Sequence, residues 1–260
     1  ADLFLPAASF LERVELCDYY GTLHAIPYIT LRKKVLKVGE AISDLNFWIK
    51  LARKMGYDQY FPWQNEEEAI NFALEPTNLK IEDFKEHPKG MSYGSLRLDQ
   101  YKQKGFATPS KKVELFSQTL LDMGYDPLPV HEENPENPFS SLYNELPLIM
   151  TTGARSLEYL HSGFRNIDKL KNRNPEPLLE IHPETAKSYG VKDGDMVIVE
   201  NLQGKLKIKI KFSKDIKIGV VNIPHGWPDA NVNLITKDFS ADPITGYPAL
   251  KASLCKIRKA

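Results

Sequence analysis

The sequence predicts an α/β N-terminal portion followed by a mainly β C-terminal domain that closes into a small barrel. Three observations carry that prediction. Apolar residues recur at helical spacing in the first half. In the second half Lys205-Leu206-Lys207-Ile208-Lys209-Ile210-Lys211-Phe212 alternates strictly, the mark of a strand with one face buried. Between the halves lies a stretch with prolines at 127, 129, 135, 138 and 147, which cannot hold regular structure. The resulting division is 1–130, a proline-rich linker 131–147, and 148–260.

The chain has 260 residues, enough for one large domain or two ordinary ones with a real core. Its 34 basic and 34 acidic residues cancel, so no global field points to nucleic acid as a partner. No apolar run approaches the ~20 residues that span a bilayer, so no transmembrane segment is expected. Cys17 and Cys255 lie near opposite ends. That spacing excludes a disulfide framework and a clustered-cysteine metal or iron–sulfur site, and both read as buried apolar thiols. The opening Ala1-Asp2-Leu3-Phe4-Leu5-Pro6 carries no methionine and no leader pattern. It reads as the end of a strand inside a domain, hence a fragment or a subunit completed by another chain.

Taken in order, Ser43 caps a helix whose apolar positions are Leu45, Trp48, Ile49, Ala52 and Met55, ended by Gly56. Asn65 caps another, with Glu66-Glu67-Glu68 in the first turn and Ile70, Ala73 and Leu74 as its buried face. A third ends at Met123-Gly124. Met55-Gly56-Tyr57-Asp58 and Met123-Gly124-Tyr125-Asp126 share one C-cap chemistry, because their flanks do not repeat. Leu146 to Thr151 reads as a buried strand stopping at a glycine turn. Pro183 starts a short helix ended by Gly190. Met196–Val199 pairs with the alternating strand across Asn201-Leu202-Gln203-Gly204, and its lysine row reads as a solvated face protected against edge pairing. Gly219–Pro224 and Ala249–Ile257 supply the last strands.

No catalytic constellation is present. Gly-x-Ser-x-Gly is absent, and Ser162 beside His161 has no elbow around it. The histidines at 24, 87, 131, 161, 182 and 225 are too scattered for a local metal site. The glutamate run is a helix face, and neither phosphate-binding glycine motif occurs. No residue is therefore assigned as catalytic or as a metal ligand. What recurs is a set of loops, each expected after a strand: Thr151-Thr152-Gly153-Ala154-Arg155, Tyr159-Leu160-His161-Ser162, Pro224-His225-Gly226-Trp227-Pro228, Asn231-Val232-Asn233 and Asp242-Pro243-Ile244-Thr245-Gly246. Their amides, hydroxyls, imidazoles, indole and guanidinium suit a large polar ring system. Trp227 reads equally as a core aromatic, and His182 as a helix cap.

The run from Thr151 through His161-Ser162, Glu180-Ile181-His182-Pro183-Glu184-Thr185-Ala186, Gly190-Val191-Lys192-Asp193-Gly194-Asp195 and His225-Gly226-Trp227 resembles the C-terminal molybdopterin-dinucleotide-binding domain of the DMSO reductase family of molybdenum and tungsten oxidoreductases. Asn231 to Leu234 and Asp242 to Lys251 continue the pattern. Upstream, Ala1 to Ala7 with Glu12, and Gly105 to Leu115, resemble the late part of that family's catalytic region. The family pattern has glycine where Lys111 stands, which puts the tight turn there in doubt.

The resemblance implies a six-stranded double-psi β-barrel of the aspartate-decarboxylase-like kind, whose loops grip ligand at one end. It implies molybdopterin guanine dinucleotide carrying molybdenum or tungsten, with the metal ligand outside this chain and a [4Fe–4S] centre in a missing N-terminal part. Thr151, Thr152, Gly153 and Arg155 would lie along the pterin or its pyrophosphate, followed by His161 and Ser162. His225, Gly226 and Trp227 would face the pterin or guanine, Asn231 and Asn233 would hydrogen-bond the pterin, and Lys251 would share that surface. The implied partners are the remainder of the catalytic chain and an iron–sulfur electron-transfer subunit. On this reading the chain grips and caps the cofactor without catalysing alone. Two rivals are a non-redox hydratase of the same family and a non-catalytic β-barrel binding module.

Overall fold

The computed structural model describes residues 2–24, 26–153, 155–236, 241–248 and 250–260. The chain folds as two compact units, Ala1–Gln118 and Thr119–Ala260.

The first unit mixes helices with a small antiparallel sheet. Its strands β1 (Glu15–Cys17), β2 (Tyr28–Arg32) and β3 (Met91–Ser92) pair in that order. The helices are α1 (Tyr19–His24), α2 (Asp44–Lys54), α3 (Glu66–Leu74) and α4 (Gln100–Lys104). Ile29, Leu31, Ile70, Leu74 and Phe84 form the core. Both expected caps are made: Ser43 accepts from Asn46 N and Asn65 from Glu68 N. The buried stripes are narrower than the spacing suggests. On α2 only Ile49 and Ala52 are buried, while Trp48 and Met55 are exposed. On α3 Ala69 replaces Ala73 in the core.

Glu66, read from the sequence as part of a helix face of acids, does more than favour the helix dipole. It is buried, accepting from the Ser43 hydroxyl, Asn46 Nδ2 (3.2 Å) and Val14 N (3.3 Å). A buried carboxylate needs such partners, so it ties the start of α2 to the start of α3. The opening residues, expected to end a strand, instead make one parallel bridge, Ala7 to Ile42. Cys17 is only half-buried.

The doubtful turn at Lys111 does form. Phe106 N donates to Lys111 O (2.9 Å) and Lys111 N to Thr108 O (3.1 Å). Lys111 takes φ +59° to close it, the left-handed conformation that glycine adopts without penalty. The repeated Met-Gly-Tyr-Asp is one C-cap used twice, after α2 and after α5 (Gln118–Asp122). Gly56 and Gly124 both have φ +82°, and Tyr57 N and Tyr125 N fold back onto Ala52 O and Leu120 O at 2.9 Å each.

The second unit is a closed double-psi β-barrel. Its strands are β4 (Leu148–Thr151), β5 (Leu178–Ile181), β6 (Met196–Glu200), β7 (Lys205–Phe212), β8 (Val220–Asn222) and β9 (Ser253–Lys259), with short helices α6 (Asp168–Lys171) and α7 (Pro183–Ser188). Around the barrel the order is β4-β8-β5-β7-β6-β9. The pairs β4–β8 and β5–β7 are parallel and the others antiparallel. The last strand starts later than expected, at Ser253; Ala249 lies outside the described residues. Leu206, Ile208 and Ile210 enter the core with Leu179, Ile181, Val197, Val199, Val221 and Cys255.

The lysine row of β7 has another explanation than edge protection, because a closed barrel gives β7 a neighbour on each side. Lys205, Lys209 and Lys211 pair with Glu200, Glu176 and Glu180. His182 is the cap of α7, its Nδ1 accepting from Glu184 N at 3.2 Å. Between 126 and 147 the one regular piece is a 3-10 turn, Ser141–Asn144. That stretch lies against β9: Asn134 Nδ2 donates to Ala252 O (2.9 Å), and Glu136 accepts from Leu254 N (2.7 Å). Among the described residues no helix is long and apolar enough to cross a membrane.

Two outcomes test this description. Lys111→Gly should raise stability by about 0.5–1 kcal/mol, seen as a higher urea midpoint; a loss would mean that Lys111 is not left-handed. Burial, aided by the charge of Glu136, pushes the Cys255 thiol from an ordinary 9.0 up to about 12. The folded state therefore favours the neutral thiol. That contribution is whole below pH 9 and is lost as pH rises towards 12. Cys255→Ala should flatten the alkaline loss of stability, and an unchanged slope would contradict the assignment.

Candidate functional site

The strand register places every candidate residue at one end of the barrel. Thr151 at the end of β4 pairs with Asn222 at the end of β8, and Met150 with Ser253 at the start of β9. Glu180 of β5 pairs with Asn222 in an antiparallel ladder that puts the start of β5 at the same end, and Glu200 pairs with Lys205 where the β6–β7 hairpin turns. The connections 152–177 and 223–252 therefore both leave and re-enter at this end. All twelve candidates lie at Thr151 or within those two connections. Only Thr151–Arg155 and Pro224–Pro228 follow strands directly; the other loops lie further along the same excursions. Ala154 lies outside the described residues.

The two connections meet at a histidine pair. His161 Nδ1 and His225 Nε2 are 2.7 Å apart, and His225 Nδ1 lies 3.3 Å from Thr152 O. A carbonyl can only accept, so neutral His225 carries its proton on Nδ1 and receives at Nε2 from His161 Nδ1–H. Gly226, with φ +82°, makes this approach possible: a Cβ there would lie 2.9 Å from the His161 carbonyl carbon. His161 itself has φ +55° and Phe164 φ +70°. Ser162 is exposed beside them.

Two recesses open at this end of the barrel, and the histidine pair lines the smaller. One, of about 360 Å³, is lined by Arg155, Ser156, Glu158, Arg173 and Trp227, with Glu180, Lys211 and Asn222 from the barrel wall. Ser156 holds the Glu158 carboxyl below the usual range by hydrogen bonding. Asn222 donates to Glu180 Oε2 (3.0 Å), while its buried Oδ1 has no partner among the described residues. The other, smaller recess is lined by Arg155, Tyr159, Arg165, His161, His225 and Trp227, with no carboxylate among the described residues that line it. The mixed donors and acceptors of the larger recess fit a polar heterocycle, and the smaller one places two guanidinium groups, Arg155 and Arg165, beside it.

The remaining candidates divide. Lys251 packs across Gly153, where a Cβ would lie 3.3 Å from its Cε. Thr152 is buried and spends its hydroxyl on Leu250 O at 2.6 Å, bracing the second connection. Asn231 accepts from Asn233 N (3.1 Å) and caps the 3-10 turn Val232–Ile235; neither asparagine lines the two recesses. Trp227 packs on the barrel core, meets Tyr159 edge-on at 87° and lines both recesses.

Sequence reasoning missed Arg165. Its guanidinium carbon lies 3.6 Å from the Trp227 ring centre and 4.3 Å from that of Tyr159. Burial draws it below the usual arginine range, opposed by Tyr159. Glu180 and Asn222 were missed as site residues too, although a polar residue inside the apolar run Val220-Val221-Asn222-Ile223 was a legible signal.

Residues 148–254 match the family described as the molydopterin dinucleotide binding domain. Acetylene hydratase of Syntrophotalea acetylenica is 31% identical, over 98% of this chain and 37% of the hydratase. The F420-dependent formate dehydrogenase subunit alpha of Methanocaldococcus jannaschii is 30% identical, over 100% of this chain and 37% of that subunit. The solved structure of acetylene hydratase from Pelobacter acetylenicus superposes with a TM-score of 0.86 at 32% identity, covering 98% of this chain and 38% of that one. The chain thus spans little more than a third of the length of these relatives.

Gly226 and Gly124 share φ +82°, yet no atom of the described residues lies within 4 Å of a Cβ at Gly124. Gly124→Ala should cost about 1 kcal/mol and Gly226→Ala at least about 2 kcal/mol, read from urea midpoints. Equal losses would show that the close approach to His161 is not tight.

Proposed function

Because the chain belongs to the molybdopterin-dinucleotide-binding proteins of the DMSO reductase family, we propose that its part in a larger enzyme is to grip and cap the cofactor, with bond-making left to other residues. The carrying observation is convergence: two long connections deliver the candidate side chains to one end of a rigid barrel. The donor set supports the fit. Arg155, with the amides around Gly153, would hold an anionic diphosphate, and arginine suits such a group through its planar fork. Asn222 Oδ1, buried at the recess wall and unpartnered among the described residues, and the nearby carboxylates of Glu158 and Glu180 would accept from the N–H groups of a pterin or guanine. His161, Ser162, His225, Gly226 and Trp227 would border the ring system, with Thr151, Thr152 and Lys251 bracing its edge. Asn231 and Asn233 would reach it from the same end.

When bound, the cofactor supplies two-electron chemistry at molybdenum or tungsten. The chain's own residues bind, orient and exclude water. In this reading 1–130 belongs to the catalytic region, 131–147 links it to the barrel, and the metal ligand and any iron–sulfur centre lie in other parts of the enzyme. An iron–sulfur subunit would be the electron partner. The similarity to acetylene hydratase supports a second reading, in which the complete enzyme adds water and the cofactor-gripping role is unchanged.

The complete protein, purified from cells that make the cofactor, should carry pterin fluorescence with molybdenum or tungsten. Arg155→Ala should lower retained cofactor by about ten-fold, the worth of a charge-assisted contact. Absence of both metals from the wild type would sink the cofactor reading, whereas normal content in the variant would show only that Arg155 is misplaced. Turnover of formate or an oxyanion by the isolated 260 residues would overturn the non-catalytic role.

A further inference from the structure

We infer that Arg165 is a positioning residue that locks the loop carrying His161 to the loop carrying His225; the inference rests on the cofactor-gripping reading and assigns the part that sets the spacing of the grip. One nitrogen bridges the two connections. Arg165 Nη2 donates to His161 O at 3.2 Å and to His225 O at 3.4 Å. Its guanidinium lies against Trp227 and Tyr159, whose rings stand at 87° to each other, so the planar group fills the corner between them. Tyr159 is itself pinned, its hydroxyl donating to Asn174 O at 2.6 Å.

The usual reason for a half-buried arginine is a carboxylate partner. Among the described residues Arg165 has none, and its buried Nε and Nη1 have no acceptor. Its place is therefore set by shape and by donors, not by an ion pair. The loop it holds also needs a restraint. His161 and Phe164 are left-handed without being glycine, and such residues persist only where neighbours over-determine them. Gly226 supplies one restraint on His161 by close approach, and Arg165 supplies the other through the His161 carbonyl. Lysine could not replace it. A point charge on a flexible stem cannot stack in the aromatic corner, and its ammonium lacks the planar fork.

The test uses the complete, cofactor-loaded protein and the variants Arg165→Lys, Arg165→Ala and Trp227→Phe. The rate of pterin release after dilution is read by fluorescence, and the melting temperature of cofactor-stripped protein is read separately. Arg165→Lys should release pterin about ten-fold faster than wild type, as Arg165→Ala does, because charge alone does not rescue. Trp227→Phe keeps a face for stacking and should fall between them and wild type. Stripped proteins should melt within a few degrees of one another. Release at the wild-type rate from Arg165→Lys would overturn the inference. So would a melting loss that tracks the release rate across the variants, since Arg165 would then be a plain fold stabiliser. Wild-type protein without pterin would sink the cofactor reading and this role with it; wild-type retention matched by every variant would sink this role alone. Should Arg165→Ala not fold, Arg165→Lys carries the test.

Discussion

Parallel pairing governs the second unit. Two parallel strands cannot be joined by a tight turn, because the chain must travel back along the strand before it can pair again. The barrel has two such pairs, β4 with β8 and β5 with β7, whose members are not consecutive in sequence. The chain meets that demand through intervening strands, and its connections step over a neighbour: at one end 152–177 passes β8 to reach β5 and 223–252 passes β4 to reach β9, while the shorter passages through α7 and 213–219 lie at the other end. The same topology that closes the hydrogen-bond ladder leaves two long segments free of it. Those segments carry the histidines, the arginines and the tryptophan.

Charge is arranged locally. A formal net charge of zero suggests no field at all. The barrel wall agrees, since the lysines of β7 are matched by Glu176, Glu180 and Glu200. The smaller recess does not, because Arg155 and Arg165 both line it and no carboxylate does among the described residues. Burial of a guanidinium on indole is tolerated better than burial of an ammonium, since it is weakly hydrated and can stack. An overall neutral chain can thus present a positive recess at the end where its loops converge.

Caps and alternation were legible in the sequence because they depend on neighbours a few residues apart. Ser43, Asn65 and the two Met-Gly-Tyr-Asp ends follow from short-range hydrogen bonding, and β7 follows from its period of two. The role of Glu66 was not legible, because its partners Val14 and Ser43 come from distant segments. The lysine row was misread for the same reason: whether β7 is an edge depends on β5, which no local pattern reveals. The site was legible as residue types in loops, and the family resemblance supplied the cofactor. Its assembly was not legible. Arg165 follows Phe164 in an ordinary-looking turn, and only the meeting of two connections brings it onto Trp227.

Strain at the site depends on the rigidity beneath it. His161 and Phe164 hold left-handed backbone that a free loop would relax, and Gly226 is crowded where an open turn would not be. Such an arrangement needs a base that does not yield. Val221, Ile223 and Met150 are buried beneath the start of both connections, and a close-packed interior resists the small shifts that would release the strain above. Arg165 and the histidine pair then act between two fixed anchor points. A ligand meeting them need not order the loops first, so less of its binding free energy goes into conformational entropy. The barrel core therefore serves the recess directly: its packing keeps the loop backbone in conformations that would be lost if the connections hung from a softer frame.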